Sequence, residues 1–426
     1  MRYSYSILIP LLVLVAWPLQ AKEVVVTFDN PAEFYEKYRF VDGIEGKALD
    51  LSSDAYHRNP VTVGQIDSLD MAGSFSLGIW VNTTSRETGL KALVSNKRSC
   101  EMKDAGIMLS AQENGSWCVY FTDGTNWQWD YRPTVERQPI NDGKWHFLAV
   151  THNADKDEMK MYYDGLNVAT YCTNGNKCLA TGNPLYIGNH IDDQWHSFEG
   201  LLDRFSFIDR VKSEAEIADE YEQFTGIRRE ARLPYFTPEI NLMEFNIFHG
   251  GHELGEQVGV NRVVEVIKKS HADIIGMIET YGAGAEIADA LGYYFYLRSS
   301  NLSIMSKYPI EQTWDMFQPF NTCAATIRIS ETQVINYVNL WLDYRPITDE
   351  QVRARLSVEE IEQQELPTRY RELTAILGDM QPFFDQKGVP LFVSGDFNSG
   401  SHLDWTEEAK HLFGGYVLKW PTSVLM

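Results

Sequence analysis

The chain has 426 residues, of which 44% are hydrophobic and 13% aromatic. A chain of this length and composition can bury the cores of two or three globular domains. The 59 acidic residues outnumber the 37 basic ones and give a net charge of −22. This charge disfavours nucleic acid as a partner, because polyanions are held mainly by Lys and Arg.

Residues 1–21 have the three-part pattern of a secretory signal peptide. Arg2 supplies the positive charge, Ile7 to Trp17 form the apolar stretch, and Ala21 is a small residue at the cleavage point. The apolar stretch is short for a membrane span, although an uncleaved anchor is the alternative, and no later segment is apolar enough to cross a bilayer. We therefore expect a secreted, periplasmic or cell-surface protein without a transmembrane segment.

Residues 24–227 alternate apolar and polar side chains in short runs, separated by turn signals such as Asp164-Gly165. Many short strands at regular spacing predict an all-β antiparallel sandwich. A charged segment, KSEAEIADEYEQF, is predicted to be a helix that closes this half. Residues 228–238 carry Pro234 and Pro238 with little periodicity, and they are predicted to be a linker.

Five cysteines fit an oxidising compartment. Cys100 with Cys118 and Cys172 with Cys178 are the favoured disulfides, because the members of each pair lie close together in sequence and could bridge hairpins. Cys323 stands alone in the second half and is predicted to be a buried free thiol.

Four segments of the first half resemble, in this order, the laminin-G-like or concanavalin A-like lectin fold, a jelly-roll sandwich: GIEGKALDLSS, SFSLGIWV, DGKWHFLAVTHNADKDEMKMYYDG and FEGLLDRFSFIDRVKSEAEIADEY. The resemblance implies a domain over residues 24–227 that binds a glycan or a surface. It also implies a Ca²⁺ site in some members, to which Asp203 would contribute; the alternative is that Asp203 caps a strand end. Trp127, Trp129 and Tyr131 could stack on a sugar, but their alternation favours one face of a sheet.

From residue 239 to 426, apolar strand-like runs alternate with helical ones, which predicts an α/β layered domain. Predicted strands lie in INLMEF, DIIGMI, SNLSIMS, TQVINYVNLW and VPLFVSG, and predicted helices lie in GVNRVVEVIKKSHA and SVEEIEQQELPTRYRELTAILGDMQPFFD. Pro367 is expected to begin a new helix within the second of these.

Three of these strands end in polar side chains, namely Asn246, Glu279 and the pair Asp396 and Asn398. Ligands of α/β sheets gather where strand ends open into loops. Carboxylate and amide oxygens suit Mg²⁺, Mn²⁺ or Ca²⁺ rather than zinc. His249, in the glycine-rich loop after Asn246, either contacts a phosphate or only caps the loop.

Four motifs of this half, NIFHGG, IIGMIET, NLSIMSKYPI and SGDFNS, resemble the endonuclease/exonuclease/phosphatase superfamily in order and in content. The resemblance implies a four-layer α/β sandwich and a phosphoesterase that depends on Mg²⁺ or Mn²⁺. Glu279 would bind the metal, and Asn246 would help to position the metal or the phosphate. Asp396 would activate the attacking water, and Asn398 would hydrogen-bond the phosphoryl oxygen.

Two departures from the superfamily pattern matter. Trp341 stands where members often have a histidine, and an indole cannot accept a proton. The C-terminal Asp-His pair of the superfamily is absent before Met426, so the resemblance implies a domain truncated at its C-terminus and impaired catalysis. His402 is the only nearby histidine, and its position does not match the superfamily base.

The leading hypothesis is a secreted metal-dependent phosphoesterase with a glycan- or surface-binding module. The acidic balance favours a lipid head group or a small phosphodiester as the substrate. The alternative is a catalytically dead extracellular protein that binds carbohydrates or surfaces. A structural adhesion protein ranks last, because it leaves the three polar strand ends unexplained.

Overall fold

The computed structural model describes residues 21–30, 38–52, 61–62, 73–87, 89–97, 103–125, 128–175, 183–189 and 197–426. The predicted signal peptide lies outside the described residues except for Ala21. Within these ranges, the structure contains no helix that combines the length and the apolar character needed to span a bilayer.

The first half is a sandwich of two facing sheets, as predicted. One sheet has the strand order β2-β3-β14-β5-β10-β11-β12, with β1 also paired to β14, and the other has the order β4-β13-β6-β7-β8-β9. All pairs within this half are antiparallel, and the inward side chains of both sheets form one apolar core. The strands are β1 (Glu23–Val26), β2 (Arg39–Asp42), β3 (Lys47–Asp50), β4 (Val61–Thr62), β5 (Phe75–Asn82), β6 (Lys91–Ser95), β7 (Gly106–Ala111), β8 (Trp117–Thr122), β9 (Gln128–Tyr131), β10 (His146–Asn153), β11 (Glu158–Tyr163), β12 (Leu166–Cys172), β13 (Tyr186–Ile187) and β14 (Leu201–Ile208).

The charged segment forms helix α1 (Glu214–Thr225) against the outer face of the larger sheet. Ser213 and Glu216 form a reciprocal capping box at its N-terminus, which satisfies two otherwise unpaired backbone amides. Tyr221 stacks on Trp80 with ring centroids 5.6 Å apart. The helix therefore closes the first half, as the sequence predicted.

The aromatic strand β9 packs into the sandwich. Trp129 and Tyr131 both meet the ring of Tyr171 edge-on, with centroids 5.9 and 6.0 Å apart. Tyr131 is buried. The sheet-face interpretation is confirmed for these two rings, and Trp127 lies outside the described residues.

The second half has four layers, as predicted. The sheets β15-β16-β18-β17 and β19-β20-β21-β22 pack face to face, helices α2 and α3 cover the first, and helices α6 and α7 cover the second. The strands are β15 (Leu242–Asn246), β16 (Ile274–Ile278), β17 (Tyr294–Leu297), β18 (Leu302–Ser306), β19 (Ile310–Trp314), β20 (Thr322–Arg328), β21 (Val334–Trp341) and β22 (Leu391–Asp396). The helices are α2 (Glu256–Ser270), α3 (Gly284–Leu291), α4 (Thr348–Arg353), α5 (Val358–Glu365), α6 (Arg371–Asp379), α7 (Gln381–Phe384) and α8 (Pro421–Leu425).

The long helical segment of this half is interrupted where Pro367 was expected to begin a helix. A single π-helical turn, Leu366–Tyr370, follows α5, and Thr368 has non-helical dihedral angles. The next α-helix begins only at Arg371. The proline therefore marks the break, but the new helix starts four residues later than predicted.

The two halves share one continuous sheet, which the sequence did not predict. Strand β12 of the sandwich pairs in parallel with β17 of the second half, so that Ala169 lies opposite Phe295 and Tyr171 opposite Leu297. The result is a 12-stranded sheet that crosses the boundary between the halves. Residues 226–241, which connect the halves in sequence, contain no helix or strand.

A buried carboxylate fastens the halves beside this strand pair. Asp289 on α3 is only 2% exposed. It accepts hydrogen bonds from Thr134, from Gln138 Nε2 at 2.6 Å and from Arg137 Nε at 3.4 Å, all in the loop between β9 and β10. Charge-assisted hydrogen bonds of this kind are about twice as strong as neutral ones.

The two predicted disulfides stay predictions. Cys100 and Cys178 both lie outside the described residues, so neither pairing can be compared with the structure. Their predicted partners Cys118 and Cys172 are buried, and the sulfur of Cys172 lies 2.9 Å from Arg298 Nη1 and 3.1 Å from Asn174 Oδ1.

No disulfide joins two of the described residues. Cys323 is a buried free thiol, as predicted, and burial raises its pKa well above the usual value.

Candidate functional site

The predicted polar strand ends meet at one end of the two packed sheets of the second half. Asn246 is the last residue of β15, Glu279 directly follows β16, and Asp396 is the last residue of β22. Strands β15 and β16 run parallel in the first sheet, and β22 packs against both from the second sheet. This packing brings residues 150 positions apart in sequence into contact.

The amide of Asn246 joins the two carboxylates. Its Nδ2 atom donates to Glu279 Oε1 at 3.1 Å and to Asp396 Oδ2 at 3.3 Å. An amide is a neutral donor and brings no positive charge to this contact. The structure therefore brings together three of the predicted site residues around a concentration of negative charge.

Glu279 is held from both sides by backbone contacts. The backbone N–H of His249 donates to Glu279 Oε2 at 3.0 Å, and the backbone N–H of Glu279 donates to Asn301 Oδ1 at 3.2 Å. Asn301 is fully buried and donates to the carbonyl of Phe320. Asn301 is thus a positioning residue that the sequence analysis missed; a polar residue just before the apolar strand β18 was the available signal.

Asp396 and Asn398 form a tight turn instead of continuing the strand. Asn398 has a φ of 50°, and its backbone N–H donates to Asp396 Oδ1 at 3.0 Å. Asn398 Nδ2 donates to the carbonyl of Leu342 at 2.9 Å, which uses one of its two amide hydrogens. The other amide hydrogen remains for a ligand. Because the chain turns at Asn398, the alternation of side chains along a strand does not explain the placement of Asp396 and Asn398.

An open cavity of about 840 Å³ lies beside these residues. Its walls include Asn246, Asp396 and Asn398, together with Tyr344 and Glu244. Burial, and then the charge of Asp396, raise the pKa of Glu244. Glu244 was missed, although its position two residues before Asn246 on β15 puts both side chains on one face.

The histidines near the site do not direct their rings at its acids. The ring of His249 pairs with Glu253 at 2.9 Å, so only its backbone reaches Glu279. The Nδ1 atom of His402 contacts Ser423 Oγ at 2.7 Å. Among the described residues, no histidine ring is hydrogen-bonded to Glu279 or Asp396.

Trp341 occupies the strand position where a histidine is common, opposite Asp396 in the register of β21 and β22. Its ring packs edge-on against Phe320, with centroids 5.3 Å apart, and lies 6.3 Å from the ring of Tyr344. Trp341 therefore contributes an aromatic wall and no proton acceptor at this place.

The donor set fits a divalent cation of the Mg²⁺ type. No part of the described chain gathers three or more His, Cys, Asp or Glu side chains in a metal-binding arrangement. A cation here would be held by Glu279 and Asp396, and Mg²⁺ usually takes one or two carboxylates and completes its shell with water and substrate. The amide oxygen of Asn246 would join them only after the amide turned over, because it accepts the backbone N–H of Phe248 at 3.0 Å.

Asp203, the calcium candidate of the first half, has a different environment. Its carboxylate accepts backbone N–H groups of Ile44 at 2.9 Å, Glu45 at 3.3 Å and Arg204 at 2.7 Å. It is 1% exposed, and burial raises its pKa to about 6. These contacts favour a structural role that pins the turn after β2, because Asp203 is enclosed and three backbone N–H groups take most of the about four acceptor positions of its carboxylate.

Comparison with known proteins agrees with this division of the chain. Residues 54–218 match the concanavalin A-like lectin/glucanases superfamily, and residues 243–422 match the endonuclease/exonuclease/phosphatase family. The uncharacterized protein F14F9.5 of Caenorhabditis elegans is 25% identical over 195 residues, which are 43% of this chain and 61% of that protein. The chain thus aligns with about three-fifths of the length of that relative.

Two solved structures are similar to part of this chain. The binding domain of Paraclostridial Mosquitocidal Protein 1 is 17% identical with a TM-score of 0.37. The match spans 48% of this chain and 49% of that chain. The second structure is domain 4 of AbnA, a GH43 extracellular arabinanase from Geobacillus stearothermophilus, solved with arabinotriose. It is 18% identical with a TM-score of 0.35, and the match spans 46% of this chain and 86% of that chain. On the two family matches, the chain carries a concanavalin A-like lectin/glucanase domain followed by a domain of the endonuclease/exonuclease/phosphatase family.

Proposed function

We propose that the chain is a secreted phosphoester hydrolase that depends on a divalent cation, Mg²⁺ or Mn²⁺, and is held on a glycan or surface by its lectin-like half. The observation that carries the proposal is the contact of Asn246 with both Glu279 and Asp396, together with the position of Asn246 and Asp396 in the wall of an open cavity. Carboxylates left unneutralised beside a cavity are a common feature of sites that hold a cation and a phosphate.

Each side chain then has a defined task. The cation, when bound, polarises the phosphoryl oxygens and offsets their charge. Glu279 holds the cation, and Asn246 fixes Glu279 and Asp396 relative to each other. Asp396 accepts the proton of the attacking water, and the free amide hydrogen of Asn398 donates to a phosphoryl oxygen as its charge grows.

The surroundings of the site support a lipid head group or a small phosphodiester as the substrate. The net charge of −22 opposes the binding of a long polyanion. Two large side chains near the site are well exposed, Phe248 at 56% and Tyr344 at 50%. Exposed aromatic rings of this kind suit the apolar part of a lipid at a membrane surface.

One observation favours the second candidate function, a catalytically inactive glycan- or surface-binding protein. Trp341 stands beside Asp396, and no histidine ring of the described chain is bonded to the site acids. A phosphoesterase without a general acid would have to expel its leaving group unaided, which slows poor leaving groups most.

The purified full chain, assayed with Mg²⁺ on bis(4-nitrophenyl) phosphate, separates the two candidates. We expect hydrolysis that EDTA abolishes and added Mg²⁺ restores, and a loss of about 10²–10³-fold in Glu279→Gln. The control is Glu331→Gln, an exposed residue at the opposite end of β21. Hydrolysis that survives both EDTA and Glu279→Gln would reject the site, and a folded wild type without hydrolysis would favour the inactive binding protein.

A further inference from the structure

A second cavity lies where the sandwich, the connecting segment and the second half meet. It has a volume of about 220 Å³ and is lined by residues from all three parts, including Asn167 of β12, Arg232 of the connecting segment and Tyr294 of β17. A cavity of roughly 10–15 Å³ holds one water molecule. The much larger volume of this cavity is therefore enough for a small molecule.

The charge of this cavity is opposite to that of the chain. Its lining includes Arg137, Arg229, Arg232 and Lys307, and no Asp or Glu among the described residues lines it. The chain as a whole carries 59 acidic and 37 basic residues. Four cations gathered at one concave surface raise the local potential and attract an anion.

These cations keep hydrogen-bond donors for a ligand. Arg137 uses Nε on Asp289 and Nη2 on the carbonyl of Tyr293, and no partner of its Nη1 is found in the described part of the chain. Lys307 pairs with Asp273 at 2.8 Å, and Arg229 reaches Asp164 only at 3.5 Å.

Arg232 differs from the other three cations. It is exposed, and among the residues that the structure describes it has neither an ion pair nor a hydrogen bond. A guanidinium presents several donors in a planar fork that matches carboxylates and phosphates. Arg232 is therefore the side chain of this cavity that is most available to a ligand.

A neighbouring cavity of about 210 Å³ extends the same space toward acids. It shares Asn167, Arg229 and Tyr294 with the 220 Å³ cavity and is also lined by Glu214 and Glu230, which pair with Lys160 at 2.8 Å and with Arg228 at 2.9 Å. Carboxylates accept hydrogen bonds from hydroxyl groups. The joined space thus has a cationic end for an oxyanion and an end that accepts hydroxyl hydrogens.

We propose that this junction cavity binds an acidic sugar, with the sugar's oxyanion at Arg232, Arg137 and Lys307 and its hydroxyl groups toward Glu214 and Glu230. A carboxylate or a phosphate supplies the same charge and acceptor geometry, so both a uronic acid and a sugar phosphate belong to this class. The site lies apart from the acids at Asp396 and does not require the proposed hydrolysis.

Titration calorimetry on the full chain in EDTA, with glucuronate, glucose 6-phosphate and glucose as probes, tests this proposal. We expect binding of one or both anions at millimolar concentration and none of glucose. Binding of glucuronate alone identifies the carboxylate source, and binding of glucose 6-phosphate alone identifies the phosphate source. If neither anion binds, or if glucose binds equally well, the proposal is wrong.

Two charge-removing variants locate the site. Arg232→Gln and Lys307→Gln should each weaken the anion about tenfold or more, which is the effect of losing one charge-assisted hydrogen bond. Arg232 has no partner to lose among the described residues, so its variant should fold normally. Arg262→Gln, an exposed arginine on α2 that lines neither cavity, is the matched control. Undiminished anion binding in the Arg232→Gln, Lys307→Gln double variant would place the anion elsewhere and overturn the proposal.

Discussion

Two aspartates, Asp203 in the sandwich and Asp396 in the second half, were both candidate site residues, and the structure places them in opposite environments. Asp203 is enclosed, and three backbone N–H groups donate to its oxygens. Asp396 lies at the wall of an open cavity, and its closest side-chain partner is an amide shared with Glu279.

The difference teaches how to separate a structural carboxylate from a functional one. A carboxylate that is enclosed and held by several backbone amides stabilises the fold and is not accessible to a ligand. A carboxylate that faces a second carboxylate and an opening costs stability and is retained where it serves a ligand. The residue type is the same in both cases, so it does not decide.

The strongest test of this comparison applies one chemical change to both residues. Asp396→Asn should reduce the phosphodiesterase rate by about 10²–10³-fold and leave the free energy of unfolding within about 1 kcal/mol, because it removes repulsion from Glu279 and Glu244. Asp203→Asn should retain the rate and lower the free energy of unfolding by about 1–3 kcal/mol, because an amide NH₂ would face a backbone N–H.

Steady-state hydrolysis and urea unfolding of both variants measure these effects. A large rate loss in Asp203→Asn, or a stable Asp396→Asn protein with full activity, would contradict the division into structural and functional carboxylates.

The contact between the halves offers the next largest effect. Asp289→Ala should lower the free energy of unfolding by about 2–4 kcal/mol, because it leaves the partly buried Arg137 and the buried Gln138 without their acceptor. Glu265→Ala, which removes the exposed partner of Arg262, is the control and should cost less than about 1 kcal/mol. Equal losses in the two variants, measured by urea unfolding, would show that Asp289 does not fasten the halves.

The smallest predicted effect concerns pH. His146 is buried, with Asp142 and Asp164 each 3.0 Å from one of its ring nitrogens, Tyr163 also in contact and Arg229 beyond Asp164. Burial lowers the pKa of His146, but the hydrogen bonds and charges of the two aspartates together raise it.

Because the pKa of His146 is raised in the folded protein, its protonation stabilises the fold at pH values below the unfolded pKa of about 6.5. This stabilisation is lost as the pH rises through the folded pKa. The free energy of unfolding should therefore fall on the alkaline side of about pH 6.5, by about 1.4 kcal/mol for each unit by which the pKa is raised. His146→Gln should be less stable at pH 6 and should show a flatter pH profile. A His146→Gln profile parallel to that of the wild type would exclude His146 as the source.

Much of the fold was predictable because its signals are local. The alternation of SFSLGIWV and WHFLAVTHN predicted strands β5 and β10, and Asn246, Glu279 and Asp396 were recognised because each ends an apolar run. Asn301 and Glu244 were missed because their local signals, a polar residue before β18 and a polar residue on the same strand face as Asn246, do not by themselves indicate a site. Only the packing of β18 beside β16, and of β22 against β15, gives them their neighbours.

The sequence by itself determined the two fold classes, the motif order and the polar strand ends, because periodicity and strand termination depend on residues near each other in the chain. Tertiary structure decided which of these polar groups act together. The pairing of β12 with β17, the contact of Asn246 with Asp396 and the cationic junction cavity all join residues more than a hundred positions apart. Such contacts depend on how whole sheets pack, and no local pattern of side chains records that packing.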